Sequence, residues 1–270
     1  MNDLLFMRKA FVEFGFEQDD GISFRDLRVA FRVEKSRQAE PDKGTISIYN
    51  LAETSIGLLN RPKAVIRLYA GYSETPPVIF EGTAIKGGVK VERNGVDKIV
   101  TVEALDGGRA WTEGRVRISQ RGEVTFEAAF NLTLQALGLP QGVVILPKGL
   151  TFPSGLSVDT TARDMMSRLA KMSNSDWFIL HGVVNFIPRG TSTLGYIPEV
   201  SARAGNLVGS PNPTAKGVEI TCLLDSSIQP ASEIYLGSKY ISGNFIAHDL
   251  NYAGDSTQGE FITQLLGVPS

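Results

Sequence analysis

The stretch VKVERNGVDKIVTVEAL, Val89 to Leu105, does most to restrict what this chain can fold into. Val89 and Val91 lead into Asn94-Gly95, and Val100, Val102 and Ala104 lead out. Apolar residues at every second position place alternate side chains on opposite faces of an extended chain, so that one face can be buried. An Asn-Gly pair between two such runs supplies the two positive-φ residues of a type I′ turn. The stretch reads as a β-hairpin.

The same period recurs on both sides of it. In DLRVAFRVEK, Leu27, Val29, Phe31 and Val33 share one face; in GTISIYN, Ile46 and Ile48 do; in AVIRLYAGY, Ile66, Leu68, Ala70 and Tyr72 do. Between them AETSIGLLN reads as a single helical turn capped by Thr54 or Ser55 and ended by Pro62. Six strands by residue 106 predict a first small barrel or sandwich.

The pattern then changes to a helical period. GEVTFEAAFNLTLQALGLP predicts a helix with Thr125 as cap, Phe126, Phe130, Leu134 and Leu137 near one face, and Gly138 and Pro140 as the stop. SVDTTARDMMSRLAKMSNS predicts another, capped by Thr160 or Thr161, with Ala162, Met165, Met166, Leu169 and Met172 as its apolar stripe. A methionine stripe at this spacing reads as core. DWFILHGVVNFIP holds two apolar strands around His181-Gly182, and His tolerates positive φ better than most residues, so the pair reads as a turn. Residues 189–217, rich in Gly, Pro and Ser, read as irregular linker. The last block alternates strands with turns marked by Gly237-Ser238, Ser242-Gly243 and Gly254-Asp255.

The reading is therefore mainly β (α+β). Residues 1–107 form a first β-barrel-like domain, 108–190 a helical insert with a β-hairpin, and 191–270 a linker and second β-barrel-like domain. Hydrophobic residues make up 42% of the 270 and charged residues 21%, which fits a folded chain. The formal net charge of -2 leaves no basic excess to hold duplex nucleic acid through counterion release. No run reaches the ~18 apolar residues of a membrane span, and the N-terminal MNDLLFMRKAFVEFGF lacks the features of a secretory signal. No membrane partner is expected.

Chemistry is sparse. The sequence contains no P-loop, no strand–G-x-G-x-x-G–helix unit, no H-E-x-x-H, no C-x-x-C and no G-x-S-x-G. The single cysteine, Cys222, lies in an apolar strand and reads as a small buried residue. Near the C-terminus, His248, Asp249, Asp255 and Glu260 fall close together. On strict alternation His248 joins Ile246 and Leu250 on the inner face while Asp249 points the other way, so the pair does not converge on a metal. Asp255 sits in a turn, where Asp bonds its own backbone. No catalytic, cofactor-binding or metal residue is assigned, and no cofactor. Trp111 and Trp177 are far apart in sequence and beside core segments, which gives little support to a carbohydrate-binding face.

Five segments, in order, resemble the baseplate hub proteins of contractile-tailed phages. They are GTISIYNLAETSIGLLN; VIRLYAGY followed by VIFEGTAIKGGVKVE; VTVEALDGG; a helix followed by WFILHGVVNFIPRG; and GVEITCLLDSSIQPASEIYL running into SGNFIAHDLNYAGDSTQGEFITQLLG. The resemblance spans residues 25 to 267. It implies a virion protein, assembled in the bacterial host cytoplasm, in which three copies form a ring of pseudo-sixfold symmetry. Such a ring joins a tail tube, or tube-initiator protein, to a central spike, with tape-measure and baseplate wedge proteins as neighbours. DNA would meet it only in passage through a channel. The alternative is a tail-associated cell-wall or polysaccharide hydrolase.

Overall fold

The computed structural model describes residues 7–16, 19–59, 61, 64–107, 111, 113–193 and 195–270. Pro62, given a role above, lies outside them. The fold is mainly β.

Seven strands precede the insert: β1 (Lys9–Phe16), β2 (Asp19–Phe24), β3 (Val29–Ser36), β4 (Lys43–Tyr49), β5 (Val65–Gly71), β6 (Val78–Asn94) and β7 (Asp97–Leu105), with helix α1 (Glu53–Leu59) after β4. Thr54 and Ser55 lie inside α1 rather than at its cap, because Ala52 O already accepts from Ser55 N and Ile56 N. The β6–β7 turn also differs from expectation. Asn94 pairs with Asp97, so Gly95 and Val96 are the central residues, and of these Gly95 has positive φ (62°). Glycine at the first central position is the type II′ solution to the same two-residue loop.

The insert holds β8 (Arg115–Gln120), β9 (Val124–Thr125), α2 (Phe126–Leu137), β10 (Gln141–Val144), β11 (Thr151–Phe152), β12 (Leu156–Thr161), α3 (Ala162–Met172), β13 (Ser175–Leu180) and β14 (Val183–Pro188). Thr125 and Thr161 are both N-caps, accepting from Ala128 N and Asp164 N. Gly138 closes α2 at φ 68°. Met172 leaves the expected stripe; it ends α3 and is exposed. Around these helices Trp111, Phe126, Phe130, Met165, Met166, Leu169, Trp177 and Phe186 form a core of their own.

The second β-block contains β15 (Glu199–Ser201), β16 (Asn212–Thr214), β17 (Gly217–Leu223), β18 (Glu233–Gly237), β19 (Ser242–Asp255) and β20 (Phe261–Pro269). Ser242-Gly243 opens β19 instead of marking a turn; the turn lies at residues 238–241.

Both β-blocks belong to one 13-stranded sheet with the path β16-β17-β20-β19-β3-β4-β7-β6-β5-β1-β2, β18 and β15 branching from β19. The path has free ends, so there is no closed barrel among the described residues. The joint is β19. Its first half pairs with β18 up to Ile246, and its second half pairs with β3 from Asp249 to Asp255. A single apolar core runs across that joint, from Val12, Phe31, Val33 and Ile46 to Ile220, Tyr252 and Leu265. The far side of the first block also returns to the second: the Tyr72 and Phe261 rings meet edge to face at 5.4 Å.

Candidate functional site: the seam between the two β-blocks

The β19–β3 seam has an inner side packed against the insert and an outer side facing solvent. On the inner side the alternation of β3 places Val29, Phe31, Val33 and finally Lys35 toward the interior. Lys35 is buried, and its Nζ lies 3.3 Å from His181 Nε2 in the β13–β14 turn and donates to Gln229 Oε1 at 3.0 Å. Asp106, at the end of β7, accepts from Gly182 N at 3.0 Å. Asp42 accepts from Ser36 N at 3.2 Å. Two residues past Lys35 and just beyond the end of β3, Arg37 is also buried. Its Nε donates to Asp176 at 2.8 Å, Nη1 to Thr191 O and Nη2 to Pro188 O. Asp176 also takes Arg189 at 2.9 Å.

These groups titrate abnormally because water is excluded. Burial pulls Lys35 down to about 8 and His181 down to about 3, the latter helped by the neighbouring Lys35. Burial pushes Asp106 up to about 6. Asp42 is pushed up to about 8 by burial, against the opposing pull of Lys35. The imidazole is thus neutral at neutral pH. His181 (φ 51°) and Gly182 (φ 74°) are the two central residues of a type I′ turn, with Leu180 paired to Val183. The expected turn is present. Its contact with Lys35, 146 positions away, had no trace in the sequence.

On the outer side, cross-strand pairing lines up Thr221, Gln264, Asn251, Glu34 and Lys43 across five strands, β17, β20, β19, β3 and β4. Asn251 donates to Gln264 Oε1 at 3.0 Å. A cleft of about 580 Å³ opens here, floored by this row and walled by residues 38–43.

The C-terminal cluster resolves differently from strict alternation. A bulge between Ala247 and Asp249 breaks the period at His248, so His248 is half-exposed rather than packed inside, and its Nδ1 meets Asp249 Oδ1 at 3.1 Å. The bulge sits where β19 changes partner from β18 to β3. Asp249 also accepts from Ser36 Oγ at 2.9 Å, and its carboxylate is held below the usual range, first by His248. Serine, aspartate and histidine therefore do meet, but with the carboxylate in the middle. A nucleophile needs the imidazole between hydroxyl and carboxylate, so that it can take the proton. Asp255 makes the expected turn, accepting from Thr257 N and Gln258 N, and is ion-paired to Arg28 at 2.8 Å.

Cys222 is buried in β17 with its thiol pushed up to about 12 by burial. Trp111 and Trp177 stack at 5.0 Å inside the insert core and offer no exposed platform. Among the described residues no three His, Cys, Asp or Glu side chains are placed to hold a metal ion. No helix among them is long and apolar enough to cross a membrane.

No protein-family model matches the sequence, and no curated protein matches it. Solved structures do match. The 43 kDa tail protein of prophage MuSo2 from Shewanella oneidensis superposes with a TM-score of 0.66 at 9% identity, over 97% of this chain and 98% of that one. The chain shares the fold of a phage tail protein from end to end. A tail protein from Neisseria meningitidis MC58 gives 0.64 at 9% identity, covering 96% of each chain. The E. coli c3393 protein, described as a type VI secretion component with structural similarity to T4 tail proteins gp27 and gp5, gives 0.64 at 12% identity over 95% of this chain and 76% of that one. The shared fold includes the insert, since neither end nor middle is left out of the overlap. At these identities the likeness is one of backbone path and carries no side-chain roles.

Proposed function

We propose that this protein is a structural hub of a phage tail baseplate, a ring of three copies that joins the tail tube to a central spike. The observation that carries the reading is the overlap with phage tail proteins over nearly the full length of both partners. The organisation of the chain supports it. Two β-blocks per copy, joined rigidly through β19 and β3, let three subunits present six sheet units, which adapts a sixfold tube to a threefold spike. Location in the virion, and contact with tube, spike, tape-measure and wedge proteins, belong to the same reading.

The role is non-enzymatic. The one Ser–Asp–His grouping is wired in the wrong order for proton transfer, and the other histidine is held neutral in a turn. These features weigh against the hydrolase alternative. Electron microscopy of the purified protein tests the proposal. Threefold class averages with six similar lobes are the expected result. Particles without rotational symmetry at micromolar concentration would remove the ring and, with it, this function.

A further inference from the structure

Three buried ionisable side chains stand in a row across β3, β4 and β7, and the hub reading uses none of them. The pairs Glu34–Lys43 and Lys43–Leu105 close the two ladders. One position further, Lys35 stands across from Asp42, and Asp42 across from Asp106, whose N–H donates to Asp42 O at 2.9 Å. All three continue the inward phase of their strands, and they are 3%, 2% and 3% exposed. Residues directly opposite in an antiparallel pair hold their Cβ atoms about 4.5–5.5 Å apart. The Lys35 amine and the Asp42 carboxyl therefore enter the same buried space, on the side of the sheet away from the outer cleft.

A buried charge is ordinarily paired, yet no ion pair joins Lys35 to either acid among the described residues. Its nitrogen instead meets His181 Nε2 and Gln229 Oε1. Burial favours the uncharged forms of Lys35 and Asp42 alike. An uncharged amine has two hydrogens, so these two contacts leave its lone pair free. The Asp42 carboxyl matches it. Oδ1 accepts from Ser36 N at 3.2 Å, which draws electron density from Cγ, whereas Oδ2 is buried without a partner. Asp106 is the poorer candidate. It lies one strand further from Lys35, and its Oδ1 is held by the Gly182 amide.

We propose that Lys35 and Asp42 condense into an intramolecular amide. The Lys35 nitrogen bonds to Asp42 Cγ and the Cγ–Oδ2 bond breaks. Oδ2 leaves as water, carrying its own hydrogen and one from the nitrogen. Oδ1 becomes the amide oxygen and keeps Ser36 N as its donor; the hydrogen left on nitrogen keeps one of its two acceptors. No oxidant or reductant is required. Holding both groups side by side in one buried space supplies the proximity that the condensation needs. The bridge closes a loop over residues 35–42. That loop carries Arg37, so the cross-link fixes the segment whose guanidinium holds Asp176 in the insert. It forms within a single copy and does not depend on the ring.

Intact-mass spectrometry of the denatured full-length protein tests this. The expected mass is one water below that of the sequence. Trypsin should no longer cut after Lys35, and fragment spectra should join Lys35 to Asp42. Lys35→Arg and Asp42→Ala should each show the full mass of its own sequence. Asp42→Asn should lose one ammonia instead of one water at the same link, because a carboxamide releases its nitrogen in the same step. The reading on the unaltered protein does not depend on the variants folding. A full sequence mass after prolonged incubation at neutral pH would overturn the proposal. So would a bridge to Asp106, or a water lost at an Asp-Gly succinimide (Asp20-Gly21 or Asp106-Gly107), which hydroxylamine cleaves and which leaves Lys35 open to trypsin.

Discussion

The seam and the insert are attached to the molecule in opposite ways. At the seam, β19 and β3 exchange backbone hydrogen bonds over seven residue pairs, Asp249–Ser36 to Asp255–Ala30, and the apolar core passes through without a break. The insert has its own core and meets the rest through a small apolar contact, Phe178 and Ile187 with Ala231, and through polar side chains: Arg37 on Asp176, Lys35 against His181, and Asp106 on the Gly182 amide. A ladder and a shared core couple two parts into one cooperative unit. A small contact of this kind fixes an orientation while leaving the attached part able to unfold separately. The two β-blocks thus share one sheet and one core, while the insert is built on a core of its own. Both tryptophans lie in the insert core, so fluorescence follows the insert while far-ultraviolet circular dichroism follows mainly the sheet.

The largest effect is expected at the seam. Tyr252 is fully buried there, and its hydroxyl donates to Ile228 O. Tyr252→Ala should lower stability by about 3–5 kcal/mol, and urea unfolding followed by circular dichroism should show both blocks lost in one transition. Two sheet transitions would show that the blocks are separable after all.

The next effect sharpens the contrast from the other side. Arg37→Ala removes the main link to the insert and leaves Asp176 and two carbonyls short of donors. It should cost about 2–3 kcal/mol and lower the fluorescence midpoint more than the circular dichroism midpoint. Coincident midpoints would mean that the insert and sheet unfold as one.

A smaller effect is expected from His181. Its folded pKa of about 3 lies below the unfolded value, so the unfolded chain takes up the proton first and stability is lost as pH falls below 6.5. Asp106, raised to about 6, acts in the opposite sense between pH 6 and about 4 and masks the loss in the native protein. His181→Asn keeps a residue that tolerates positive φ and removes the titration. Relative to the native protein it should gain roughly 1 kcal/mol per pH unit between pH 6 and 4. A constant difference across that range would place the imidazole outside the buried network. Smallest of all, Val96→Ser at the fully exposed tip of the β6–β7 hairpin should leave both midpoints where they are.

Much of this architecture was legible in the sequence, where the signal is local. Thr125, Thr161 and Gly138 terminate helices because capping chemistry depends on residues three or four apart. His181-Gly182 reads as a turn because the apolar runs meet it on both sides. What could not be read depends on distant partners or on broken periods. Strand β1 buries Ala10, Phe11 and Val12 in succession, so it has no clean alternation, and both β1 and β2 were missed. The His248 bulge leaves no residue signature within a regular strand; it exists because β19 must change neighbours there. That one extra residue reversed the expected facing of His248 and brought it onto Asp249. The polar junction was invisible for a related reason, since Arg37 and Asp176 are 139 positions apart. The cleft shares that origin: its floor is drawn from strands on both sides of the insert.

The measurement closest to the central claim is the mass of the purified protein in solution by light scattering across a dilution series. The hub account predicts a concentration-stable species of three times the 29.3 kDa chain mass. A single 29.3 kDa species at every concentration would contradict it.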